Sequence, residues 1–146
     1  MTNEIIISLQ LVLSAFLGGV IGFVRERDKK AAGLRTHTLV SVGSTLLMSL
    51  SIFMAAQFPG SDAGRIAAQV VTGIGFLGAG TIIQAQGTVR GLTTAASIWV
   101  ASAIGLAVGA GFYIGALVST LIALVVLELL RGIEKKYMRG NEKEDA

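Results

Sequence analysis

Asp62, Arg65, Gln69 and Thr72 recur at intervals of three or four residues, the spacing that brings side chains onto one face of a helix. Such a face combines a carboxylate, a guanidinium, an amide and a hydroxyl. It suits either an ion pair at the start of a helix, with Asp62 against the positive end of the helix dipole, or a polar funnel toward Gln69 and Thr72 that binds an ion or small anion. No nucleophile, base and orienting group can be assembled from the rest of the chain, so it is not expected to be an enzyme or to carry a cofactor. His37 has no Cys, His or Asp at ligand spacing, and the chain has no cysteine, so no metal site is expected.

Gly73, Gly75, Gly78 and Gly80 crowd one short segment and match G-x-G-x-x-G. No strand precedes them and no acidic residue follows at the needed distance, so a dinucleotide fold is rejected. Two readings stand: close helix packing, or a glycine-broken helix lining a site. Arg25, Arg27, Lys29, Lys30 and Arg35, with Arg90 further on, form a basic cluster suited to orientation, lipid headgroups and ion pairs. Glu128 and Arg131 suggest a helix-end pair, and Gln10 and Ser14 suggest hydrogen bonds to a neighbouring helix.

These residues are positioned by five apolar stretches, at about 5–24, 38–58, 66–83, 92–110 and 113–130, each near the length that crosses a bilayer. As one helix, 92–130 would extend about 58 Å, nearly twice the hydrocarbon thickness, so the chain must turn near Gly109-Ala110-Gly111. Eleven of twelve Lys and Arg residues follow the first, third or fifth stretch, which places the N-terminus outside and the C-terminus in the cytoplasm. The expected fold is an all-α membrane bundle over residues 1–130 with a short charged tail, 131–146. Hydrophobic residues make up 53% of the chain and charged residues 14%, which excludes an ordinary soluble domain and leaves no basic folded face for nucleic acid. The first stretch reads as a retained span rather than a signal peptide, since no basic residue precedes it.

Small residues recur four apart at Thr93, Ser97, Ala101, Gly105 and Gly109, with Gly18 and Gly22 on the first stretch and Gly115, Ser119 and Ala123 on the fifth. Smooth faces of this kind let helices approach closely. They serve packing within one chain or a homo-oligomer, a dimer in the first instance. A faint repeat relates Phe16-Leu17-Gly18-Gly19…Gly33-Leu34-Arg35-Thr36 to Phe76-Leu77-Gly78-Ala79…Gly91-Leu92-Thr93-Thr94, and a true repeat would put the site between the first and third stretches.

Arg25-Glu26-Arg27, Ala32-Gly33-Leu34-Arg35-Thr36-His37, the run from Asp62 to Gly80 and Val89-Arg90-Gly91-Leu92-Thr93-Thr94-Ala95-Ala96-Ser97-Ile98-Trp99 together resemble the transmembrane domain of the MgtC/SapB family, over roughly residues 10–130. The resemblance implies a bacterial inner-membrane protein of about five spans. It also implies a link to growth at low magnesium and to survival in host cells or acid, and in some members restraint of the F-type ATP synthase. The best-known members carry a folded cytoplasmic domain after the last span, where this chain has a short charged tail. No P-loop is present, so ATP hydrolysis is not expected.

Two functional classes follow. One is a non-enzymatic membrane regulator that docks partners within the bilayer. The other is a small transporter of magnesium or another ion, using the third helix. The spans hold no deep acidic residue, and a hard divalent cation needs oxygen ligands, usually carboxylates, so the regulator is preferred.

Overall fold

The structure is a computed structural model that describes residues 2–85 and 87–141, with side chains over 4–85 and 87–129. These residues form five helices and one hairpin: α1 (Thr2–Arg27), α2 (Leu34–Gln57), α3 (Gly64–Ala79), β1 (Ile83–Ala85), β2 (Thr88–Arg90), α4 (Leu92–Gly109) and α5 (Tyr113–Asn141). Three of them, α1, α2 and α4, are long and apolar enough to cross a membrane, and the apolar part of α5 spans Tyr113–Leu129.

The helices alternate in direction. Gly18 of α1 lies against His37 and Ser41, while Gly22 meets Leu34, so α1 and α2 run antiparallel. Pairings of His37 with Ser97, Ser44 with Ser102 and Thr45 with Gly105 advance together, so α2 and α4 run parallel. The chain turns between α4 and α5, where Gly111 takes φ +80°, as the length of 92–130 requires.

α4 is the hub, packed against all four other helices. On one side Ile104 and Val108 join Leu17, Ile21 and Ala116 in a buried apolar cluster. On the other, Ile98 packs with Ala32, Val70 and Ile74. α2 is built the opposite way from a helix in water: its buried residues are His37, Ser41, Ser44, Thr45, Ser49 and Ser51, while Leu39, Leu46, Leu50 and Phe53 are exposed. Polar groups facing a bundle interior with an apolar exterior is the arrangement that hydrocarbon surroundings favour.

Several expectations change. The glycine-rich segment is one uninterrupted helix from Gly64 to Ala79, not a broken one. It is also shorter than the expected stretch: Thr81 and Ile82 bond back to Gly78 and Ala79, and a hairpin with Gly87 at φ +78° occupies 83–90. Gly91, at φ +93°, seats its backbone so close to the Thr81 carbonyl that a methyl group would collide with it. Beyond Leu130 the charged segment continues α5 to Asn141, and 142–146 lie outside the described residues.

The repeat is visible in the packing. Gly33 and Gly91 stand at the N-caps of α2 and α4, α1 pairs with α2 as α3 pairs with α4, and α1 touches α4 as α3 touches α2. Ser44 and Ser102 each lie eleven residues past their cap glycine and hydrogen-bond to each other, so equivalent positions of the two halves meet between α2 and α4. α1 and α3 share no extensive contact among the described residues.

Candidate functional site: a polar seam and an exposed helix

Three consecutive residues end α1, and the helical turn of about 100° per residue points each at a different neighbour. Arg25 Nη2 donates to Thr94 Oγ1 on α4 at 2.5 Å. Glu26 Oε2 accepts from the Leu34 amide of α2 at 2.7 Å, which places a carboxylate on that helix's positive end. Arg27 pairs with Glu128 of α5 and with Asp28 at 3.5 Å. Arg25-Glu26-Arg27 thus ties α1 to the three helices around it.

From this end a hydrogen-bonded seam runs through the bundle. His37, fully buried, has Nδ1 2.8 Å from the Gly33 carbonyl; a carbonyl only accepts, so Nδ1 carries a proton. Its Nε2 lies 3.0 Å from Ser97 Oγ, which donates to Thr94 O at 2.8 Å. Next come Ser44 and Ser102 at 2.8 Å, then Thr45 Oγ1 against Ser41 O and Gly105 O. At the far end Ser49 donates to Gln10 Oε1 at 3.5 Å, and Gln10 Nε2 donates to the Tyr113 hydroxyl at 3.0 Å.

Glycine lets this seam close. A methyl group on Gly109 would come within 2.6 Å of Thr45 O, and one on Gly18 within 2.7 Å of His37 O. Gly105 abuts Ser41 O more tightly still. The small face of α4 therefore packs inside one chain, against α2.

α3 offers a contrasting surface. Phe76 is 82% exposed, and Arg65, Gln69 and Thr72 are also exposed. Asp62 precedes the helix, and its Oδ1 accepts from the Gly64 amide at 2.7 Å; among the described residues no ion pair joins it to Arg65. Thr72 donates to Ala68 O of its own helix. Gln69 borders a groove of about 590 Å³ between α2 and α3 whose walls include Gly43, Gly73, Val70 and Leu47. Gly43, Gly73 and Gly75 have nothing within 4 Å of where a Cβ would stand, Gly78 rests on Ala95, and Gly80 meets only its own helix end.

Among the basic residues, Arg25 is buried while Arg27, Arg35 and Arg90 are exposed. Among the described residues this loop pairs Arg27 with Asp28 and Glu128, and the expected pairing with the tail lies outside the described residues. Glu128 therefore reaches α1; the side chain of Arg131 lies outside the described residues. Gln10 does bond another helix, whereas Ser14 donates to Leu11 O of its own. Sequence reasoning missed Ser41, Ser44, Thr45 and Ser49. Their spacing from His37, in steps of three or four residues, was the available signal.

The MgtC family matches residues 11–136. YhiD of Escherichia coli (strain K12), whose name carries magnesium transport as a proposal, is 43% identical over 97% of this chain and 67% of its own length. Protein MgtC of Brucella abortus (strain 2308) is 46% identical over 79% of this chain and 47% of its own length. Protein SapB of Bacillus subtilis (strain 168) is 40% identical over 89% and 59% respectively. No solved structure matches. With most of its length covered by the family and by these relatives, the chain belongs to the MgtC family.

Proposed function

We propose that this is a non-enzymatic protein of the bacterial inner membrane, crossing it five times with the N-terminus outside, that serves adaptation to magnesium limitation or related stress by binding partners within the bilayer. The observation that carries this reading is the groove between α2 and α3. Gly43 and Gly73 leave backbone bare there, with nothing within 4 Å of where a Cβ would stand, although each glycine costs helix propensity of about 1 kcal/mol in water. In hydrocarbon, small residues repay that cost by admitting a neighbouring helix. The occupant we favour is a helix of a second copy of the chain. A membrane protein such as the F-type ATP synthase is the alternative that the family resemblance offers.

A transporter is the second reading, supported by the row of buried polar side chains between Arg25 and Tyr113 and by the name of the Escherichia coli relative. Against magnesium, the seam offers hydroxyls, an imidazole and an amide but no carboxylate, and it ends at a buried guanidinium, which repels a cation. Flux of magnesium and protons into proteoliposomes separates the two. No flux above protein-free vesicles agrees with partner binding; magnesium flux that Ser44→Leu abolishes establishes transport.

A further inference from the structure

The N-termini of α2 and α4 are equivalent in the repeat but are satisfied differently. At α2 the Glu26 carboxylate takes the Leu34 amide. At α4 no side chain caps the helix, and its first internal bond runs from the Ala95 amide to Gly91 O. The amides of Leu92, Thr93 and Thr94 therefore point off the helix end, where the dipole is positive.

A cavity of about 580 Å³ lies before that end, bordered by Arg25, Asp28, Lys30, Thr93 and Thr94. Arg25 is only 4% exposed, and its Nε has no acceptor, a costly condition for a buried charged donor. Thr94 Oγ1 accepts from Arg25, which leaves its own proton to donate. Asp28 shares Arg27 with Glu128. Of the charged residues that line the cavity, Arg25 and Lys30 outnumber Asp28, so the lining carries net positive charge.

We propose that this cavity binds a phosphate-class oxyanion, held by Arg25, Lys30, the Thr94 hydroxyl and the first amides of α4, in the role that Glu26 fills at α2. Guanidinium and helix N-terminus are complementary to tetrahedral oxyanions. The anion comes either from the headgroup of an anionic phospholipid or from free phosphate, and the apolar lip formed by Leu92, Val126 and Leu127 accommodates the first. The cavity is separate from the α2–α3 groove and does not depend on what docks there.

The test uses the full chain in two settings: inorganic phosphate titrated calorimetrically against protein in neutral detergent, and retention of phosphatidylglycerol over phosphatidylcholine from mixed nanodiscs by native mass spectrometry. Lys30→Ala, at an exposed position, keeps the fold and weakens binding roughly tenfold, the loss of one charge-assisted contact. Thr94→Val weakens it similarly, and Arg35→Ala, which lies outside the cavity, changes it less than about twofold. Phosphatidylglycerol retention that phosphate does not displace identifies a headgroup site. Phosphate binding without lipid preference identifies a soluble anion. Binding of neither probe overturns the proposal, as does an Arg35→Ala loss equal to that of Lys30→Ala, which means general attraction to a basic surface.

Discussion

Gly105 and Gly73 are the same residue in helices of the same chain, yet one is pressed against Ser41 of α2 and the other faces open space. The contrast extends to their surroundings. Around Gly105 lies the seam of His37, Ser44, Ser97 and Ser102, buried and mutually bonded. Around Gly73 lie Gly75, an exposed Phe76 and an unfilled groove. Glycine in the first region serves the fold of one chain; in the second it leaves a surface that no described residue covers. On the proposed reading, the polar interior serves stability and the bare helix serves partner binding.

Substitutions separate the two regions. Gly105→Leu forces a side chain into the α2 backbone and should cost more than about 3 kcal/mol, the upper range for overpacking, seen as loss of the folded peak in detergent chromatography. Arg25→Ala removes a bond to Thr94 and should cost about 2 kcal/mol, the scale of a charged hydrogen bond, read from thermal unfolding in detergent. Ser44→Ala should cost about 0.6 kcal/mol, typical of an interhelical hydrogen bond in a membrane protein. In a double-mutant cycle with Ser102→Ala the two losses should not add. Gly73→Leu should leave stability unchanged or raise it by up to about 1 kcal/mol through helix propensity, while impairing growth under magnesium limitation in a complementation assay. A Gly73→Leu protein that unfolds like Gly105→Leu would erase the distinction.

The apolar helices α1, α2 and α4 were legible in the sequence within a few residues of their ends, because length and punctuation by Gly33, Gly91 and Gly109 mark them. α3 was left open between a packed and a broken helix, and it is unbroken. Glycine propensity measured in water overstates the weakness of a helix where unmade backbone hydrogen bonds have no water to turn to. The hairpin escaped because three residues per strand are too few to show alternation. Asp62 and Arg65 looked like a helical pair by spacing, but the helix begins at Gly64, so the spacing rule does not reach Asp62. The seam was present in the sequence as His37, Ser41, Ser44, Thr45 and Ser49, and only the fold shows that His37, Ser44, Thr45 and Ser49 bond to residues of α1 and α4. Gly43 and Gly73 are indistinguishable from packing glycines until their surroundings are known.

The division between a self-contained interior and a docking face is tested most directly by placing a photo-crosslinking residue at position 76 of α3, and separately at position 12 of α1, in living cells. Val12 is exposed at 68% and lies outside the α2–α3 groove. A discrete protein adduct from position 76 that Gly73→Leu removes, with none from position 12, is the expected result. Adducts absent from both positions, or equal at the two, would contradict it.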